Sequence, residues 1–139
     1  MIKDTDILKI ISKTLDNKFG YEIYTAENDE KVETPTFFIS LNHLLTVSFK
    51  NWNEKSINVY ITYTNLGVLQ EELLDMENEL DELFDMYINV NNYKLVFKDK
   101  KFNIKDGFMT MKLSIDFLDN KSATTTTSKL MGNLNLETK

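Results

Sequence analysis

The sequence predicts an α+β domain in which a mostly antiparallel β-sheet is packed with two helices, at about residues 5–18 and 68–87. Three observations lead there. Two stretches repeat apolar residues at helical spacing, several others alternate apolar and polar residues with period two, and short turn signals separate the strands. The expected order is α-β-β-(β)-β-α-β-(β)-β over residues 1–119, followed by a tail of different composition at 120–139.

In the first helix Ile7, Leu8, Ile11 and Leu15 share one face, with Ile10 adjoining it. Asp4 or Thr5 is the expected N-cap, and Gly20 follows closely enough to end the helix. Residues 21–25 (YEIYT) suit a short strand, 26–34 a polar loop, and Pro35 opens an aromatic and β-branched run. Residues 36–42 and 44–50 read as one bent strand or a pair, and 52–56 as a turn or loop. Ile57, Val59, Ile61 and Tyr63 then alternate with polar positions, and Asn65-Leu66-Gly67 breaks the strand before the second helix.

That helix places Leu69, Leu73, Met76, Leu80, Leu83 and Tyr87 at spacings of four and three, a single apolar stripe with Phe84 at its margin. After it, Tyr93, Leu95 and Phe97 alternate with Lys94, Val96 and Lys98; Asp99-Lys100-Lys101 suits a turn, and Asp106-Gly107 is a hairpin dipeptide. Met109, Met111, Leu113, Ile115 and Phe117 mark a long closing strand.

Composition narrows the function. The 139 residues are 42% hydrophobic, 12% aromatic and 27% charged, with a net charge of −6 and all positive charge on lysine. Without a basic footprint, nucleic acid is not the expected main partner. Absence of cysteine excludes disulfides and thiolate chemistry. No apolar run suggests a membrane span or a secretion signal, so a protein made in the cytoplasm is expected. His43 is the only histidine and stands apart from any nucleophile or metal motif; a structural role is expected for it, and a core position for Trp52.

The second helix carries eight carboxylates between Glu71 and Asp85, and no basic residue lies between Lys55 and Lys94. Because these carboxylates radiate around the helix rather than converge, a metal site is not expected, and neither is any cofactor. Like charges four residues apart, such as Glu71/Asp75 and Asp75/Glu79, repel without lysines to offset them. Leu74 and Met86 sit on the same acidic flank. The flank is either solvated or a subunit contact. Residues 94–112 supply the opposite sign, six lysines against two aspartates. Glu71, Leu74, Asp75, Glu79, Glu82 and Met86, with Lys98, Lys100, Lys101 and Lys105, are the candidate subunit interface; pairing within one chain is the alternative. Beyond the Thr-rich linker, Leu130, Met131, Leu134 and Leu136 form either a disordered end or a docking arm.

The chain resembles the tail terminator proteins of tailed phages and of contractile, phage-tail-like bacteriocins, in the versions from low-GC Gram-positive hosts. The resemblance lies in the opening amphipathic helix with its YEIYT strand, in Pro35-Thr36-Phe37-Phe38-Ile39-Ser40-Leu41, in the Ile57–Tyr63 strand running into a long helix, and in the closing strand Gly107–Phe117. It implies a tail-terminator-like fold and a structural, non-enzymatic role: a homo-hexameric ring on the tail tube that ends its polymerisation and meets the head–tail connector or collar, and in contractile particles the sheath. Such a protein would assemble in the host cytoplasm and then be part of the tail. The readings kept beside it are a head–tail joining or tail-completion protein, and a stand-alone cytoplasmic binding module or small hydrolase.

Overall fold

The computed structural model describes residues 2–25, 35–65 and 67–120. The expected loop at 26–34 and the arm at Leu130, Met131, Leu134 and Leu136 lie outside the described residues. In chain order the elements are α1 (Asp4–Phe19), β1 (Glu22–Tyr24), β2 (Thr36–Ser48), β3 (Trp52–Thr64), α2 (Gln70–Leu83), β4 (Tyr87–Val90), β5 (Tyr93–Lys105) and β6 (Phe108–Asn120). The strands form one sheet in the order β1-β2-β3-β6-β5-β4, in which β1 runs parallel to β2 and every other pair is antiparallel. The α+β class with two helices is as the sequence predicts.

One face of the sheet carries the core. Ile57, Val59, Ile61 and Tyr63 of β3 and Met109, Met111, Leu113, Ile115 and Phe117 of β6 bury the alternating residues read from the sequence. The helices close over them, α1 with Ile7, Ile11 and Leu15 and α2 with Leu73, Met76 and Leu80. Burial of this apolar face, at about 25 cal/mol per Å², is the main force holding both helices to the sheet.

Some boundaries follow expectation, among them Gly20 and the single bent strand from Thr36, and others differ. Helix α1 begins at Asp4 with Lys3 as its N-cap, so neither Asp4 nor Thr5 caps it; the Lys3 N–H donates to the Asp6 carboxylate at 3.0 Å instead. Gly20 ends the helix at φ 71°, where its N–H reaches Asp16 O at 2.9 Å. Residues 36–48 form one strand whose bulge falls between His43 and Leu45, and β3 begins at Trp52, so 52–56 is strand rather than loop.

Helix α2 is shorter than the 68–87 stripe. Leu69 is its N-cap and 70% exposed, and Tyr87 belongs to β4, where its ring lies under the Lys94 ammonium at 4.3 Å. Phe84 turns the backbone out of the helix at φ −105°, ψ 68°, and the Phe97 N–H then binds Met86 O at 2.9 Å. The chain reverses at Asn91-Asn92, both at positive φ, a tight turn of the same kind as Asp106-Gly107.

The expected turn at Asp99-Lys100-Lys101 is instead the middle of β5. A bulge between Phe97 and Asp99 shifts the register, so that Leu95 and Phe97 point to the core before it and Phe102 and Ile104 after it.

Candidate functional site

The bulge in β5 decides where its lysines go. Lys100 falls on the helix side with Phe102 and Ile104, opposite Leu113. Its ammonium lies 2.6 Å from Asp81 Oδ1 and donates to the carbonyls of Asp81, Phe84 and Asp85 at 3.2, 3.0 and 2.8 Å. These are carbonyls at and just beyond the end of α2, where the helix dipole leaves partial negative charge. Lys100 therefore acts as an ammonium cap on the acidic helix within one chain.

Lys101 and Lys105 take the other phase. They share the helix-free face with Asn103, and Lys101 stands directly across from Lys112. Like charges in that cross-strand position repel. Lys98, at the bulge, reaches Asp116 on the same face at 3.5 Å, in a pair too exposed to contribute much. Neither Lys101, Lys105 nor Lys112 has an ion pair among the described residues.

The acidic flank of α2 faces solvent on the opposite side of the sheet. Glu71, Asp75, Glu79 and Glu82 are exposed and form no ion pair among the described residues. Leu74, within that flank, is 44% exposed, and Met86, just past the end of the helix, is 63% exposed. One carboxylate is turned inward: Glu72 accepts the Tyr63 hydroxyl at 2.8 Å and the Asn65 amide at 3.4 Å, fixing the start of α2 to β3. Burial, and then the Glu72 contact, push the Tyr63 phenol well above its ordinary range.

Of the ten candidate interface residues, the structure thus divides the set. Five lie on the flank of α2 and Met86 lies just beyond its end; Lys98, Lys101 and Lys105 lie across the sheet from them, and Lys100 alone meets the helix in its own chain. The sheet separates the remaining acidic and basic groups, which the sequence alone did not reveal because the phase of the lysines depends on the bulge.

A further surface escaped the sequence reading. Trp52 is not a core residue: it is 42% exposed and stacks on Phe49 at 5.4 Å between centroids. With Leu45, Val47 and Leu118 it makes an apolar patch on the helix-free face, at the end of the sheet where β2 turns into β3. Part of the signal was available in Val47 and Phe49, whose alternation continues past the bulge; Trp52 lies beyond the turn, in the next strand.

His43 bridges two surface groups, Asp4 Oδ2 at 3.2 Å and Thr46 Oγ1 at 2.6 Å. The order carboxylate, imidazole, hydroxyl is the one a nucleophilic triad uses, here set on the exposed surface. Among the described residues no three His, Asp or Glu side chains are grouped to hold a metal, and no helix is long and apolar enough to cross a membrane.

The surface thus offers contact areas of distinct chemistry, acidic on the helix side and basic on the helix-free side. The family model for phage tail terminator protein matches residues 6–127, and the chain belongs to that family. The family is one of structural tail components. No curated protein matches the chain. Fifteen solved chains do, and one of them superimposes with a TM-score of 0.51 at 11% identity, covering 90% of this chain and 100% of its own, a likeness of fold alone.

Proposed function

We propose that the chain assembles as a homo-hexameric ring on the last ring of the tail tube, stops its polymerisation, and presents the surface that the head–tail connector or collar binds. The observation that supports this most is the placement of opposite charge on opposite faces. Glu71, Asp75, Glu79 and Glu82 look one way, while Lys98, Lys101, Lys105 and Lys112 look the other, so the two sets complement each other between chains rather than within one. Such a head-to-tail contact repeats from copy to copy and closes into a ring when its rotation permits. Leu74 and Met86 would be covered in the same contact. Lys101 and Lys112 would there exchange mutual repulsion for carboxylate partners.

In this reading the protein assembles in the host cytoplasm and ends in the particle, with the tube protein as its first partner. Contact with a sheath applies if the tail is contractile, as in the bacteriocin-like particles of low-GC Gram-positive hosts.

The test is polymerisation of purified tail tube protein with and without this chain. The reading predicts rings at one end of tubes that stop lengthening. A chain that stays monomeric and leaves tube growth unchanged contradicts it; a chain that binds tube ends without forming a ring favours a head–tail joining role instead.

A further inference from the structure

Residues three apart on a regular strand point to opposite faces, so without its bulge β2 would keep His43 and Thr46 apart. The bulge between His43 and Leu45 supplies one extra residue and changes the phase. His43 then stands across from Ile57 and Thr46 across from Lys55, two positions of β3 that share the helix side of the sheet. The two side chains meet there, with His43 Nε2 2.6 Å from Thr46 Oγ1.

The third group comes from α1. Asp4 is the first residue of that helix, and its Oδ2 lies 3.2 Å from His43 Nδ1. Its place is fixed two residues earlier, where Asp119 accepts the Ile2 N–H and Lys55 donates to the Ile2 carbonyl. Lys55 is also the residue across from Thr46, so the buried ion pair holds the start of α1 over the same stretch of sheet.

The donors and acceptors then fall in one order. The Asp4 carboxylate only accepts, so Nδ1 carries the proton between them; Nε2 of the neutral ring is left as an acceptor, and the Thr46 hydroxyl donates to it. Those are the roles of orienting carboxylate, base and nucleophile. The His43 and Asp4 side chains are 32% and 38% exposed and Thr46 is exposed, so an incoming ester can reach the hydroxyl.

We propose that Thr46 is the nucleophile of a surface acyl-transfer site, with His43 as its base and Asp4 positioning the imidazole, and that the site takes esters with good leaving groups. The hydroxyl oxygen attacks the ester carbonyl as its proton passes to His43 Nε2. The bond to the leaving group then breaks, and that group departs with the proton. Water attacks the acyl-threonine, gives a proton to the same nitrogen, and the acid is released as that proton returns to Thr46 Oγ1. The substrate class follows from the openness of the site. Solvent rather than a walled pocket surrounds the tetrahedral oxyanion, so a leaving group that departs readily is required. The site uses neither the α2 flank nor the lysine face, so it stands apart from the ring reading.

The experiment treats the full chain with phenylmethanesulfonyl fluoride, which loses fluoride to a nucleophilic hydroxyl and leaves a stable sulfonate ester, and maps the adduct by peptide mass. Label on Thr46 is expected, forming about tenfold or more slowly in His43→Gln. Asp4→Asn should slow it as well and Asp4→Glu should restore it. Hydrolysis of p-nitrophenyl acetate is the second readout: the wild type should exceed Thr46→Val by about tenfold or more, and Thr46→Ser should keep the activity. All these side chains lie at the surface, and circular dichroism checks that each variant folds. Label confined to other residues, labelling of Thr46 as fast in His43→Gln or Asp4→Asn as in the wild type, or equal ester hydrolysis by Thr46→Val overturns the proposal.

Discussion

Lys55 and Asp119 form a buried ion pair, with Nζ 3.0 Å from Oδ2 and both residues almost wholly inside the protein. The same carboxylate accepts the Ile2 N–H at 3.0 and 3.1 Å through its two oxygens, and Lys55 also donates to Ile2 O at 3.2 Å. The pair thereby ties the N-terminus to the middle of the sheet and to the end of β6. Asp119→Ala leaves the ammonium buried without its partner, which should cost about 3–5 kcal/mol in urea unfolding. Lys55→Met/Asp119→Asn keeps an acceptor for Ile2 without burying a charge, and should recover most of that loss. Equal losses in the two variants would show that the charges contribute little.

Adjacent lysines on β5 should behave unlike each other. Lys100→Met strips an ammonium from three carbonyls at the end of α2, and a loss of about 1–3 kcal/mol is expected. Lys101→Met, one residue on and across the sheet, should change stability by no more than about 0.5 kcal/mol. Reversal of that order would contradict the phase set by the bulge.

The phenol of Tyr63 supplies a test in alkaline solution. Its folded-state pKa lies above the ordinary value of 10.0, so its contribution to stability is complete below pH 10.0 and is lost as pH rises above it. Phenolate absorbance of the six tyrosines should therefore include one that ionises late, together with unfolding, and Tyr63→Phe should abolish that late step. Six tyrosines titrating together near the ordinary value would count against the buried contact with Glu72.

At the acid end, the Lys3 N–H, then the Asn91 amide and neighbouring lysines hold the Asp6 carboxyl below its ordinary value of 3.8. A depressed carboxyl stabilises the fold above its unfolded pKa and loses that effect as pH falls through the folded one. Fraying of the α1 start on acidification should be weaker in Asp6→Asn, as followed by amide exchange at residues 4–7.

Much of this fold was legible because its signals are local. The alternation from Met109 to Phe117 needs only one buried face to be a strand, and Ile7, Ile11 and Leu15 need only one core to be a helix. The end of α2 was not legible, since Tyr87 fits the stripe as well as Leu80 does and Phe84 lies at its margin. What stops the helix is nonlocal: the Phe97 N–H takes Met86 O, and Lys100 takes the last carbonyls. The candidate site had the same difficulty. Its residue types were evident, but whether a lysine meets α2 or turns away depends on one extra residue in β5. Asp99-Lys100-Lys101 resembles a turn in isolation and becomes a strand only because β6 pairs with it.

The ring contact is tested most directly by reversing charge on each face separately and measuring mass in solution. Glu79→Lys/Glu82→Lys puts two lysines into the acidic flank, and Lys101→Glu/Lys105→Glu puts two carboxylates into the lysine face. Each variant alone should fail to form the ring of six copies. An equal mixture should restore it, because the two kinds then alternate with every contact complementary. Rings of wild-type mass from either variant alone, or no rings from the mixture when the wild type forms them, would contradict the proposed joining of the acidic helix to the lysine face.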